Sequence, residues 1–227
     1  MTNTQSRHQG VSADELAGLL QPFAAQPPVE WQLAAISAYL ELLLRWNARL
    51  NLTAVRDPKH IVTRHIGESW FAAERLFPDP AVRLHAIDLG SGAGFPGLPL
   101  RVYAPRLKLT LLESQHKKAT FLKEAVRAMG LSQVEVFAGR AEEFAGQAEI
   151  VTLRAVERFE RVLPVAASLL EHQATRDSVP SRLALLIGAS QVAIAQKRLS
   201  DFRWNEPIAL PQANARVLLV GTPEVKA

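Results

Sequence analysis

No cysteine occurs among the 227 residues. Disulfides, cysteine-ligated zinc, iron–sulfur clusters and a cysteine nucleophile are therefore excluded. No uncharged apolar run approaches the roughly 18 residues that a membrane span needs. Met1 to Gly10 is polar and lacks the apolar centre of a secretory signal, so it reads as loosely attached chain. His8, His60, His85 and His116 show no metal-ligand spacing with carboxylates, and no metal is expected. These absences fit a cytoplasmic protein with no membrane anchor.

What is present is enough apolar sequence for a sizeable core: 48% hydrophobic residues against 21% charged ones. The net charge of +4 suits a polyanionic partner but is weak evidence alone.

Two regimes divide the chain. Residues 1–78 read as a helical extension. Ser12-Ala13-Asp14-Glu15 resembles a capped helix start, running to about Leu20. After Pro27-Pro28, a long helix is predicted over Val29–Trp46. Ile36, Leu40 and Leu43 recur there at helical spacing, as do Tyr39, Leu42 and Trp46. It is apolar around much of its girth and should pack on more than one side. Pro58 should open another helix carrying Ile61, Val62, His65, Ile66, Trp70 and Phe71. Phe77-Pro78-Asp79-Pro80 breaks the pattern.

Residues 79–227 alternate strands with helices. Strands are predicted at Leu84–Leu89, Leu107–Glu113, Val134–Ala138, Glu149–Leu153 and Arg182–Ile187. Trp204–Leu210 and Ala215–Val220 form a closing antiparallel pair. Helices are predicted at Gly97–Tyr103, Gln115–Met129, Phe159–Leu170 and Ser190–Arg198, with a helical turn at Glu142–Gly146. This is an α/β pattern: a doubly wound, mostly parallel seven-stranded sheet covered on both faces. Its ligand should lie beyond the carboxyl ends of the strands.

Gly90-Ser91-Gly92-Ala93-Gly94 follows the first strand directly. Dinucleotide enzymes favour G-x-G-x-x-G, which seats a pyrophosphate at a helix N-terminus. Glycines at 90, 92 and 94, preceded by Asp88 and followed by Phe95-Pro96-Gly97, suit a cofactor without a pyrophosphate, such as S-adenosylmethionine. Asp88 is placed to reach its ammonium, and Glu113, at the end of the second strand, to accept from both ribose hydroxyls. Ala141-Glu142 falls where an adenine would lie, although Glu142 equally reads as a solvated helix-start acid. Arg154, at the end of the fourth strand, can grip a phosphate or a carbonyl edge bidentately. The alternative for it is a surface ion pair with Glu142, Glu157 or Glu160.

Six segments together resemble one family. They are Trp46-Asn47-x-Arg49-x-Asn51-Leu52-Thr53, Arg64-His65-x-x-Glu68-Ser69, the loop from Asp88 to Gly97, Leu111-Leu112-Glu113-Ser114 with Lys117-Lys118, Gly139-Arg140-Ala141-Glu142-Glu143, and Val151-Thr152-x-Arg154-Ala155-Val156. The chain resembles the RsmG, or glucose-inhibited division protein B, family over about Val29 to Leu170. The resemblance implies a class I methyltransferase (Rossmann-like) fold with an N-terminal helical extension. It implies S-adenosylmethionine as cofactor, contacted by Gly90, Phe95, Glu113, Ser114, Gln115, Ala141, Glu142 and Arg154. It also implies methylation of N7 of one guanine in bacterial small-subunit (16S) ribosomal RNA, with the RNA or the precursor subunit as partner of a monomer.

Two departures accompany it. Family members commonly carry Asp where this chain has Glu68 and Glu113. The family's Lys-Gly near the fifth strand and its basic C-terminal stretch are replaced by Leu186-Ile187-Gly188 and Gly221 to Ala227, so one basic RNA contact is expected to be missing.

The purine N7 keeps a free lone pair, so positioning rather than proton removal is the expected task. Arg154, His65 and Asn51 are assigned that positioning, and Arg49, Arg64, Lys117, Lys118 and Arg140 the RNA contacts. A general-base role for His65 is the weaker reading, and Asn47 and Asn51 read alternatively as turn-shaping residues. In A-form RNA the N7 edge faces a deep, narrow groove, so the target base should be in a loop or turned out of its stack. Competing readings are a class I methyltransferase acting on a small molecule or another RNA, and a ribosome-associated binding protein with a relict cofactor pocket. A nicotinamide oxidoreductase is disfavoured by the glycine spacing.

Overall fold

The computed structural model describes residues 11–155, 158–171 and 180–224. The reading of residues 1–10, the motif residue Val156, the proposed ion-pair partner Glu157 and the last three residues lie outside the described residues. Among those described, no helix is long and apolar enough to cross a membrane.

Ser12 caps the first helix as its sequence predicts. Its hydroxyl oxygen accepts from the Glu15 amide at 3.2 Å, and α1 spans Ala13–Leu20. The long helix α2 spans Glu30–Leu50, past the expected end at Trp46. It buries Ile36, Tyr39, Leu40 and Leu43, and polar side chains fix it to the C-terminal α/β region. Gln32 Nε2 donates to the Val102 carbonyl at 3.0 Å, and Trp46 Nε1 to Glu124 Oε2 at 3.2 Å.

The helix predicted from Pro58 is not uniform. Asp57 caps α3 (Pro58–Ile61), a π turn occupies Val62–Gly67, and α4 (Glu68–Leu76) continues the rod. Single π turns recur at functional sites because the wider turn re-aims backbone and side chains.

The strands are β1 (His85–Leu89), β2 (Lys108–Leu112), β3 (Val134–Phe137), β4 (Ile150–Arg154), β5 (Arg182–Gly188), β6 (Phe202–Trp204), β7 (Ile208–Ala209) and β8 (Arg216–Pro223). They form one sheet in the order β3-β2-β1-β4-β5-β8-β6, with β7 also on β8. The first five are parallel, and β8 runs antiparallel to β5, β6 and β7. The strand expected over Trp204–Leu210 is interrupted at Asn205–Pro207, and proline has no N–H for the ladder. The sheet therefore counts eight strands among the described residues, where seven were expected.

Helices α5 (Gly97–Tyr103), α6 (His116–Ala128), α7 (Phe159–Ser168) and α8 (Val192–Arg198) connect the strands. Alternate strand residues enter two separate cores, as a pleated sheet requires. Ala86, Leu111, Ala184 and Leu218 pack on the face carrying α2, α5 and α6, in a cluster that includes Leu16, Tyr39 and Trp70 of the extension. Ile87, Leu112, Leu185 and Leu219 pack on the other face with Leu163 of α7 and Ala195 of α8. The chain order reverses between β1 and β4, which opens a crevice at their carboxyl ends.

Candidate active site

A cavity of about 670 Å³ occupies that crevice. The turn after β1 supplies Gly90 to Ala93 and Phe95, and the end of β2 supplies Glu113, Ser114 and Gln115. Lys118 of α6 and Arg154 of β4 also line it, with Thr53, Arg64 and His65 from the extension. A second cavity, also of about 670 Å³, adjoins it through Leu89, Ser114 and Val162 and is lined by Gly139 to Glu143. Most of the proposed cofactor residues thus border the main cavity, with Arg140, Ala141 and Glu142 lining the adjoining one beside β3.

The glycines are not equivalent. Gly92 has φ +57°, and a Cβ there would meet nothing nearer than the Gly90 carbonyl at 3.8 Å, so the space beside it belongs to the cavity. Gly94 has φ +94°, and a Cβ would lie 2.4 Å from Leu98 Cδ1. Gly94 was expected to touch cofactor. It instead lets the turn pack on α5, and its neighbours Ala93 and Phe95 face the cleft. The extension grips this turn directly: the Tyr39 hydroxyl donates to the Ala93 carbonyl at 2.5 Å, and its ring meets Phe95 edge-on at 5.6 Å.

Asp88 does not reach the cleft, contrary to the expectation of an ammonium contact. It is fully buried, and its carboxylate accepts from the Thr152 hydroxyl at 2.8 Å and the Gly97 amide at 3.2 Å. Burial pushes its pKa up to about 6, against the opposing pull of these hydrogen bonds. Asp88 fastens the base of the glycine turn to β4. Glu113 does line the cleft. Its carboxylate accepts from the Gly92 amide at 2.9 Å and the Gln115 amide at 2.8 Å, holding the two sides of the cleft in register. Each carboxylate oxygen keeps further lone pairs for a ligand hydroxyl.

Arg154 borders the cavity, but its guanidinium is already engaged. Nη1 donates to the His65 carbonyl at 3.2 Å and the Ser69 hydroxyl at 3.4 Å. Nη2 donates to the Arg64 carbonyl at 2.7 Å, Glu68 Oε2 at 2.9 Å and His65 Nδ1 at 3.1 Å. With every Nη hydrogen engaged, the expected grip on a base or phosphate is not available to that end of the side chain. Neither is the surface pairing with Glu142 or Glu160, because the partner is Glu68. Burial lowers the Arg154 pKa to about 10, with Glu68 opposing.

Glu68 is buried and bridges two arginines. Its Oε2 takes Arg154, and its Oε1 takes Nε of Arg216 at 3.1 Å together with Arg216 Nη2. Sequence reasoning missed Arg216, because it lies 148 residues from Glu68 and outside every recognised motif.

His65 has its role narrowed by the same network. Arginine only donates, so Nδ1 must accept from Arg154, and the ring proton sits on Nε2, which donates to Thr53 Oγ1 at 2.7 Å. Burial, with Arg154, Arg64 and Arg216 nearby, lowers its pKa to about 3. The ring packs against Phe95, tilted by 32°, with centroids 4.8 Å apart. A neutral imidazole with its one free lone pair already used makes a wall, not a base.

Asn51 was expected beside the acceptor. It is exposed and left-handed at φ 47°, and its side-chain Oδ1 accepts from Arg56 Nη2 as it ends α2. Asn47, buried, accepts from the Thr53 amide at 2.9 Å and donates to the Thr53 carbonyl at 3.1 Å. Both asparagines therefore shape the loop that presents Thr53 to His65, the alternative the sequence left open. Arg49 and Lys117 are exposed and do not line the cleft.

The sheet order, the glycine turn and the acidic end of β2 define a class I methyltransferase fold. Solved structures agree at the level of fold. The ribosomal protein L11 methylase from Lactobacillus delbrueckii subsp. bulgaricus superposes with a TM-score of 0.58 at 12% identity, covering 72% of this chain and 80% of that one. An S-adenosylmethionine-dependent O-methyltransferase from Thermotoga maritima gives 0.56 at 18% identity, over 82% and 72%.

Residues 32–176 match the family described as rRNA small subunit methyltransferase G, and the chain belongs to that family. A protein named ribosomal RNA small subunit methyltransferase G from Xylella fastidiosa is 44% identical over 140 residues, 61% of this chain and 64% of its own length. Its namesake from Chloroflexus aggregans is 34% identical over 209 residues, 86% of this chain and 84% of its own length. The chain thus matches somewhat less than two thirds of the Xylella relative and most of the Chloroflexus one.

Proposed function

We propose that this chain transfers a methyl group from S-adenosylmethionine to N7 of a guanine in bacterial small-subunit ribosomal RNA, in the cytoplasm. The observation that carries the reading is a cavity bordered by Gly92, Phe95 and Glu113 from the sheet and by Thr53, Arg64 and His65 from the extension, with a second cavity at Ala141 adjoining it. The donor set fits the cofactor. The open space beside Gly92 admits an amino-acid moiety, Glu113 offers acceptors to ribose hydroxyls, and the cavity at Gly139 to Glu143 takes a purine. When bound, S-adenosylmethionine supplies an activated sulfonium methyl, which a purine N7 lone pair accepts without losing a proton.

The protein's own work is then placement and exclusion of water. Phe95 and His65 pack together as an aromatic wall beside the glycine turn. Arg154 holds that wall through His65 and the π-turn carbonyls. Arg64 and Lys118, which line the main cavity, and Arg140, which lines the adjoining one, are cations available to meet RNA phosphate.

The test is calorimetric binding of S-adenosylmethionine together with transfer of its labelled methyl to small ribosomal subunits. Gly90→Asp is expected to abolish both, because a carboxylate then fills the turn. Undiminished cofactor affinity in that variant moves the pocket elsewhere.

A further inference from the structure

On the far side of the π turn lies a separate cleft of about 310 Å³, lined by Thr63, Arg64, Glu68, Gln212, Asn214 and Arg216 among others. Val55 and Arg64 border both it and the main cavity, so the two are neighbours across Arg64. We propose that this cleft binds a phosphodiester of the RNA strand next to the target nucleotide, held by Arg64 and by the outward Nη1 of Arg216. The inference rests on the reading of the chain as an RNA methyltransferase and adds a substrate-positioning site to it.

Charge is the main support. Two guanidiniums, those of Arg154 and Arg216, hold the Glu68 carboxylate, and a third, that of Arg64, stands close enough for its charge to act on His65 and Arg154. Both oxygens of Glu68 are taken, one by Arg154 and the other by Arg216. The junction therefore keeps two positive charges in excess of the acid it contains. A phosphate-bearing strand is the ligand that neutralises such an excess and releases counterions as it binds.

Donor geometry agrees. Arg216 spends Nε and Nη2 on Glu68, and among the described residues Nη1 has no partner. The side chain is held by that bond yet keeps 26% of its surface exposed. A guanidinium fixed along one edge and open on the other is ordered before the ligand arrives, so little rotamer entropy is lost on binding. Among the described residues the Arg64 side chain has no hydrogen bond or ion pair, although its backbone carbonyl anchors Arg154. Gln212 and Asn214, both exposed, add neutral amide donors on the loop before β8. The field of the cluster is also felt inside the protein: Arg154, Arg64 and Arg216 all depress the His65 pKa.

The topology gives the site its purpose. β8 is antiparallel, so its first residue, Arg216, arrives opposite Gly188 at the carboxyl end of β5. A strand threading from this cleft past Arg64 reaches the main cavity within the same protein edge. A phosphate anchored in the cleft then fixes the register of the neighbouring base.

The test uses the full chain and small ribosomal subunits from cells lacking the enzyme. kcat/KM for methyl transfer is measured against salt, with S-adenosylmethionine affinity measured in parallel by calorimetry. Arg64→Gln and Gln212→Glu change side chains with no hydrogen-bond partners among the described residues, so both variants should remain folded. Each is expected to lower kcat/KM about tenfold or more, mainly through KM, Arg64→Gln by losing a charge-assisted contact and Gln212→Glu by setting a carboxylate against the phosphate. The slope of log kcat/KM against log salt should become shallower by roughly 0.7 to 0.9 for Arg64→Gln, one phosphate's worth of counterions, and Arg64→Lys should keep it. Cofactor affinity should not move. Because both changes act on one phosphate, their effects combined should be less than additive. Wild-type kcat/KM and salt slope in both variants, with active wild-type enzyme, would overturn the phosphate cleft and leave the methyltransferase reading standing. A wild-type protein that transfers no methyl to the subunits overturns that reading, and the cleft with it.

Discussion

Nη2 of Arg154 lies 2.9 Å from Oε2 of Glu68, and the pair fastens the helical extension to the end of β4. Arg216 completes it from β8, so one buried carboxylate ties together three segments distant in sequence. Such a triad is costly to desolvate, and breaking it is costlier than building it differently. Glu68→Gln keeps the shape but leaves two guanidiniums facing an amide. A loss of about 3–5 kcal/mol in unfolding free energy by urea titration is expected. Glu68→Asp, which keeps the charge, should lose less. Equal stability of Glu68→Gln and the parent would show that the triad does not hold the extension down.

Asp88 and His65 make opposite contributions to stability below neutrality. Asp88 has a folded pKa raised from 3.8 to about 6. The folded state binds its proton first, so the penalty of a buried carboxylate, present above about pH 6, is relieved as pH falls toward 4. His65 has a folded pKa lowered from 6.5 to about 3. Its unfolded state binds the proton first, so the stability it contributes above pH 6.5 is lost as pH falls. Between about pH 6 and 4 the two proton balances cancel. Asp88→Asn should expose the histidine, making stability fall with acid by up to about 1.4 kcal/mol per pH unit more than the parent. His65→Gln should do the reverse over the same window. Urea unfolding at several pH values checks both, and parallel curves for parent and variants would contradict the assignment.

Two glycines of the turn separate folding from binding. Gly94→Ala places a methyl 2.4 Å from Leu98 at a φ of +94°, so both sterics and backbone oppose it. Thermal unfolding should show a large stability loss. Gly92→Ala meets no protein atom within 3.8 Å and carries only the left-handed backbone cost of about 1–2 kcal/mol. Its methyl occupies the space assigned to cofactor, so S-adenosylmethionine affinity should fall well beyond its modest effect on stability. Stability effects of equal size in the two variants would mean that the turn does not divide in this way.

Much of the fold was legible because it is local. The five parallel strands and their helices arise from apolar runs punctuated by glycine and proline, and Gly97–Tyr103 is observed with the predicted bounds. The glycine turn and Glu113 fall on one cleft because strand ends and turn residues are sequence-adjacent. The misreadings concern what side chains meet across the fold. Asp88 carries the same carboxylate whether it faces a ligand or Thr152, and only the pleat decides that it turns inward. Arg154 lies at the predicted strand end, but its occupant is Glu68, brought there by a π turn that apolar spacing does not reveal. Arg216 belongs to no motif, and its role appears only once β8 runs back beside β5. The asparagines near residue 50 were ambiguous between substrate and turn, and backbone hydrogen bonding assigned them to the turn.

The most direct measurement is to delete the gene in its host and map N7-methylguanine across the small-subunit ribosomal RNA, then restore the gene from a plasmid. One site should lose its methyl group in the deletion strain and regain it on complementation by the parent chain but not by the Gly90→Asp variant. Retention of every N7-methylguanine in the deletion strain would contradict the proposed activity.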